Sequence, residues 1–182
     1  MTLSYSCTGD PRWHCEVVTQ SRPRLLEALE LIERRTMPNP WSAQSLEECF
    51  DEAYKVIVLF RHELSCGFAV IYNTKVTTDL LSLSVDPEYQ GLGLGSFLLE
   101  CALREALRGE ALECFLEVRV SNLKAHALYE RFGFLQVGLR KGYYTPLAGR
   151  PAEDAYTLRL ADIEKALAAR KPLAVPADSP VP

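Results

Sequence analysis

Apolar and polar residues change period several times along this 182-residue chain, and each change marks an element. His14 to Gln20 alternates as a strand does; Arg22 to Arg35 then repeats Leu25, Leu26, Leu29 and Ile32 at helical spacing. Met37-Pro38-Asn39-Pro40 stops that helix, because proline lacks a donor and disfavours helix in the residue before it. Ser42 is placed to cap a second helix reaching about Glu52. Tyr54 to Arg61, Leu64 to Asn73 and Asp79 to Val85, rich in β-branched and aromatic residues, predict three strands, the first two joined by a tight turn at His62-Glu63. A glycine-rich turn leads into a helix over Leu94 to Leu107, followed by an apolar strand over Leu112 to Val120. Asn122 to Phe132 predicts a helix ended by Gly133, which suits a left-handed cap. Phe134 to Arg140 and Ala155 to Leu160 predict the last strands, with Tyr143, Tyr144 and Pro146 in the loop between them, and Ala161 to Arg170 a terminal helix.

A meander of strands followed by strand, helix, strand, helix, strand predicts an α/β fold (α+β in some schemes). Its mixed central sheet has about six to seven strands and helices on both faces. The length suits a single domain over 13–170. Residues 1–12 read as an N-terminal extension, and 171–182, KPLAVPADSPVP, as a proline-rich tail without a periodic apolar face, hence disordered.

Composition narrows the chemistry. A hydrophobic content of 48% with 24% charged residues is that of a globular protein, and a net charge of −4 disfavours nucleic acid and anionic membranes as partners. The start lacks a secretory leader, and no apolar run approaches the ~20 residues that span a bilayer, so a cytoplasmic protein is expected. The six cysteines and three histidines show no metal-ligand or redox spacing, and no metal is expected. Nothing here bears on oligomeric state.

Between Val85 and Ser96 the chain runs from a strand through Gly91, Gly93 and Gly95 directly into a helix. Glycines let successive N–H groups point at a ligand, and the helix start adds partial positive charge, so the turn can hold a pyrophosphate without a basic side chain. Gly95 is followed by Ser96-Phe97, not by the lysine of a P-loop, and the even glycine spacing differs from the dinucleotide fingerprint G-x-G-x-x-G.

Gln90 to Gly95 resembles instead the acetyl-CoA signature Q/R-x-x-G-x-G/A of the GNAT superfamily of N-acetyltransferases. The resemblance implies the GNAT fold with acetyl-CoA as cosubstrate. Gln90, Gly91, Leu92, Gly93, Leu94, Gly95 and Ser96 would cradle the pyrophosphate, and the backbone of Leu83, Ser84 and Val85 would meet the pantetheine arm. It also implies that the strand before the cradle and the strand Leu112 to Val120 splay apart, with pantetheine between them as an added strand.

A glutamate within an apolar strand, Glu117 in Leu116-Glu117-Val118-Arg119-Val120-Ser121-Asn122, is costly unless paired, solvated or used. That segment and Ala127-Leu128-Tyr129-Glu130-Arg131-Phe132-Gly133-Phe134 are similar to segments of the RimI-like ribosomal-protein-alanine N-acetyltransferases. So are Pro40-Trp41-Ser42, Arg140-Lys141-Gly142-Tyr143-Tyr144, and Gly149-Arg150 with Glu153-Asp154-Ala155, over roughly Val17 to Leu160. This closer resemblance implies Glu117 as general base, Tyr129 as general acid, Asn122 in contact with the cofactor and the Val85 N–H facing the developing oxyanion. Trp41, Tyr143 and Tyr144 would line the acceptor groove. Blander roles stand beside these: Glu117 in an ion pair with Arg119 or a neighbouring strand, Tyr129 in helix packing, the tyrosine pair against a sheet edge. Gly142, Leu147-Ala148 and Pro151-Ala152 depart from the family's pattern, which leaves the acceptor open. It is the N-terminal alanine of a small-subunit ribosomal protein or similar peptide, or a small-molecule amine such as a polyamine, aminoglycoside or amino acid. A non-catalytic acyl-CoA-binding module is the remaining alternative.

Overall fold

Val56 and Val58 point to one face of a strand, Ile57 and Leu59 to the other, and all four are buried, so the middle of the sheet is covered on both sides. The computed structural model describes residues 4–7, 10–146 and 151–170. Its strands are β1 (Ser4–Ser6), β2 (Trp13–Val18), β3 (Tyr54–Arg61), β4 (Leu64–Asn73), β5 (Thr77–Val85), β6 (Glu113–Arg119), β7 (Leu135–Tyr144) and β8 (Glu153–Leu160). They form one sheet in the order β1-β2-β3-β4-β5-β6-β8-β7, in which only β5 and β6 pair in parallel. The mixed sheet is as expected with one strand more, because Ser4–Ser6 pairs with His14–Glu16 of β2. Three residues are too few to show a period.

Helices α1 (Pro23–Thr36) and α2 (Ala43–Glu48) set Leu29, Ile32 and Leu46 against Val56, Val58, Phe68 and Val70. On the other face α3 (Leu94–Arg108), α4 (Leu123–Phe132) and α5 (Ile163–Ala168) pack Leu98, Leu99, Leu103, Leu128, Phe132 and Ile163 over Ile57, Leu59, Ala69, Ile71, Leu116 and Leu158. Among the described residues no helix is long and apolar enough to cross a membrane.

Local signals behave as their chemistry dictates. The Ser42 hydroxyl accepts from the Ser45 N–H at 3.1 Å to start α2, and Gly133, at φ 89°, ends α4 in the left-handed region. Most boundaries fall within about two residues of expectation, and two differ by more. Helix α2 stops at Glu48, four residues short of Glu52, with Cys49 as its cap. Tyr143 and Tyr144 lie at the end of β7, not in a loop, because the strand resumes after an irregularity past Arg140 and Tyr144 pairs with Glu153. Gly142, at φ 60°, makes that irregularity possible. The tail 171–182 and the segment 147–150 lie outside the described residues.

The parallel pairing of β5 and β6 positions the site. It runs from Thr77↔Glu113 to Leu80↔Leu116 and no further. On the other edge of β5, Ile71 pairs with Leu80 and Val70 with Ser82, so Leu81 is an extra, bulged residue at the point where β6 departs. From Leu81 to Val85 one edge of β5 faces a gap.

Candidate active site

The gap is lined by main chain. The Asp86 N–H donates to the Cys66 carbonyl of β4 at 2.8 Å; by the alternation of a strand, the N–H groups of Val85 and Leu83 therefore point into the gap. Gly67 lets β4 follow β5 closely here, since a Cβ at that position would lie 2.7 Å from the Ser84 carbonyl oxygen. Gln90 folds back so that its Nε2 donates to the Val85 carbonyl at 3.0 Å.

Gly91 and Gly93 have φ of 82° and 81°, conformations that L side chains resist, and Gly93 is the N-cap of α3. The Ser96 and Phe97 N–H groups turn back to the Gly93 carbonyl at 3.0 and 3.2 Å. Among the described residues, none of the N–H groups of 91–95 has a protein acceptor. Leu94 and Ser96 are buried, so Leu94 offers a ligand its backbone while its side chain anchors the helix, and Leu92 packs at the margin of the core. Arg35 braces the preceding turn, reaching Asp86 and Glu88, each at 2.9 Å. Free amides at the start of a 15-residue helix suit a diphosphate, and the one-sided edge of β5 suits an extended amide-bearing arm. These residues fit acetyl-CoA.

Beside the gap lies a cleft of about 380 Å³ between the α1–α2 connection and the ends of β5, β6 and β7. Glu117, Tyr129, Asn122, Trp41 and Tyr144 all border it. Tyr129 is 7% exposed, and burial first, then the Cys114 thiol, pushes its phenol above the ordinary range, so the group stays protonated across working pH. Glu117 is half-buried, and its Oε1 receives Arg140 Nη1 at 3.1 Å. Its ion-pair partner is thus on β7, while Arg119 is engaged elsewhere. Asn122 uses its Oδ1 to cap α4 through the Ala125 N–H at 3.2 Å and borders the cleft at the same time. The Tyr144 hydroxyl donates to the Glu117 carbonyl at 3.4 Å, and burial pushes its phenol up to about 12. Tyr143 is exposed, its ring meeting that of Tyr144 edge-on at 5.0 Å.

Several cleft residues left no sequence signal. Glu33, in the last turns of α1, is only 2% exposed, yet it accepts from the Ser84 hydroxyl at 3.2 Å and the Trp41 N–H at 3.4 Å. Burial pushes its carboxyl above the usual range, against the pull of those hydrogen bonds. Arg119 bonds Glu153 at 2.8 Å and Asn39, and lies 3.8 Å over the Tyr144 ring, so one guanidinium ties together the α1–α2 connection, β6, β7 and β8. Asn39 also donates to Thr145 at 3.3 Å. The hydrogen bonds of Arg119 and Asn39 join residues 34 to 106 positions apart, beyond the reach of periodicity.

Residues 26–134 match the acetyltransferase (GNAT) family. The chain is 36% identical over 135 residues to the [ribosomal protein bS18]-alanine N-acetyltransferase of Escherichia coli K12, covering 74% of this chain and 90% of that one. The crystal structure of the ribosomal-protein-S18-alanine N-acetyltransferase from Escherichia coli superimposes with a TM-score of 0.70 at 31% identity, over 88% of this chain and 93% of that one. A GNAT family acetyltransferase from Elizabethkingia anophelis with acetyl-CoA bound shares the fold, with a TM-score of 0.67 at 18% identity over 82% and 98% of the two chains. The cradle at the start of α3, the parted strands beside it and these likenesses agree, and the chain belongs to the GNAT family as an acetyl-CoA-dependent N-acetyltransferase.

Proposed function

We propose that this enzyme acetylates the N-terminal amine of a protein, with the alanine at the start of ribosomal protein bS18 as the first acceptor to test. The observation that carries the reading is that Glu117 and Tyr129 border one cleft at the point where β5 and β6 part. The acceptor named for the relative at 36% identity supplies its chemical identity.

Acetyl-CoA supplies an activated thioester. Leu83 and Val85 offer N–H groups to the arm that carries it, and the free amides from Gly91 to Gly95 hold its diphosphate, while the Ser96 N–H, expected among them, is spent on the Gly93 carbonyl. Glu117 takes the proton from the acceptor's ammonium group, directly or through water, leaving a neutral amine to attack the carbonyl carbon. A free α-amine, with a pKa of about 7.7–8.0, needs little help near neutral pH, whereas lysine at about 10.4 needs far more, so a half-buried carboxylate suits an N-terminal acceptor. The Val85 N–H meets the charge that develops on the carbonyl oxygen. Tyr129 gives its proton to the departing thiolate and recovers one from the new amide nitrogen, so that an N-acetyl group and a free thiol remain.

We place the reaction in the cytosol, a compartment whose reducing conditions suit the buried thiols of Cys15, Cys49, Cys66, Cys101 and Cys114. A peptide starting with alanine and containing one internal lysine tests the acceptor. Acetylation at the α-amine alone, located by fragmentation mass spectrometry, is the expected result; transfer to the lysine, or to spermidine in preference to the peptide, would overturn it.

A further inference from the structure

The ion pair between Glu117 and Arg140 is not required by the transfer chemistry. Glu117 sits opposite Thr157 on β8, and Arg140 opposite Ala155 from the far side, so the arginine reaches across an entire strand, roughly 10 Å, to meet the carboxylate. A single contact of 3.1 Å joins the two, and the guanidinium carbon rests 4.2 Å over the Tyr143 ring. Arg140 is 54% exposed. Arg119, by contrast, is 13% exposed and held by Glu153, Asn39 and Tyr144 at once. Of these two arginines, one is clamped and the other is lightly held.

Asp79 lies near enough to feel the Glu117 charge, which together with burial pushes its carboxyl upward, toward the neutral form. A cation entering the cleft is drawn to the Glu117 carboxylate, where in the free enzyme Arg140 already sits.

We propose that Arg140 is a displaceable counter-ion that occupies, at Glu117, the place the acceptor's ammonium group takes. This rests on the reading of Glu117 as the group that receives the acceptor's proton. Binding is then an exchange of one cation for another: the ammonium group replaces the guanidinium at Oε1, and Arg140 swings toward solvent while keeping its stack on Tyr143. The exchange selects acceptors that arrive positively charged. An alcohol or other uncharged nucleophile brings nothing to displace the arginine with. Because a half-exposed, single-contact ion pair is weak, the exchange is nearly balanced, and Arg140 lowers apparent acceptor affinity by a small factor.

Steady-state kinetics with an alanine-initiated peptide on three variants tests this. Arg140→Gln is expected to lower the KM for the peptide about two- to fivefold, with a smaller change in kcat and none in the KM for acetyl-CoA. Arg140→Lys, which keeps the charge, is expected to restore a KM near that of the parent enzyme. A peptide KM that rises or stays level in Arg140→Gln contradicts the exchange. So does a lysine variant that behaves like the glutamine one, since shape and not charge would then be at issue. Glu117→Gln separates the two ideas: loss of turnover there with no KM effect at Arg140 removes only the counter-ion, whereas full turnover in Glu117→Gln removes the reading beneath it.

Discussion

Thr78–Leu80 and Leu81–Val85 are successive parts of one strand, yet the first is paired on both edges and the second on one. In the first half Leu80 lies between Ile71 and Leu116, two buried residues, and the segment behaves as interior sheet. In the second half the strand keeps its partner β4 but faces a gap, with Glu33, Trp41 and Tyr129 around it instead of a strand. A free strand edge is normally a liability, since it pairs with whatever extended chain arrives. Here the open edge is short, begins at a bulge and ends at a helix start, which admits one ligand of the right length and charge. The lesson is that stability and binding divide at a single residue, Leu81.

That division can be broken by substitution. The largest effect is expected at Glu117, where Glu117→Gln should lower kcat by about 10²–10³ while leaving folding cooperative, as judged by thermal melts beside turnover assays. Leu116→Ala, on the doubly paired side, should do the reverse. A 2% exposed leucine truncated to alanine costs about 2–5 kcal/mol, which corresponds to a melting temperature lower by about 5–15 °C, with the KM for acetyl-CoA unchanged. A large change in that KM would mean the two halves are not separable.

Smaller effects sharpen the same comparison. Tyr129→Phe is expected to reduce kcat by about 10–100-fold with little change in either KM. Because burial holds this phenol above its ordinary pKa, the parent enzyme should show no alkaline loss of kcat from Tyr129 up to about pH 10; a limb near pH 8–9 that vanishes in Tyr129→Phe would refute the assignment. Gly93→Val places a branched side chain at φ 81°, at a backbone cost of about 1–2 kcal/mol, and should raise the KM for acetyl-CoA about tenfold.

The smallest effect is one of pH. The folded state raises the Glu33 pKa, so its neutral form is tolerated in acid, and stability is lost as pH rises through the raised value and the buried carboxyl ionises. Glu33→Gln removes that loss. Its melting temperature should match the parent near pH 4 and exceed it by about 1–3 °C at pH 8; a difference that does not vary with pH would show that ionisation is not the cause.

Local chemistry was legible in the sequence and long-range pairing was not. The left-handed glycines at 93 and 133, the Ser42 cap and the turn at His62, with φ 54°, follow from residues within a few positions of each other. The same holds for the cradle, where strand, glycines and helix are contiguous. The partners of Glu33, Asn39, Arg119 and Arg140 are not legible there, because each residue acquires its place from another element: Ser84 for Glu33, Asn39 for Arg119, Glu117 for Arg140. The apolar pattern places Tyr143 and Tyr144 in the loop after Arg140, but pairing of Tyr144 with Glu153 draws them into β7. Periodicity reads what a segment prefers, and the sheet decides what it pairs with.

Hydrogen exchange measured by mass spectrometry, with and without coenzyme A, tests the central claim most directly. Binding between the parted strands should slow exchange in peptides covering Leu81–Val85 and Gly91–Ser96 while leaving Thr78–Leu80, already paired on both edges, unaltered. Equal exchange across 81–96 in the presence of saturating coenzyme A, or protection confined to another part of the molecule, would contradict it.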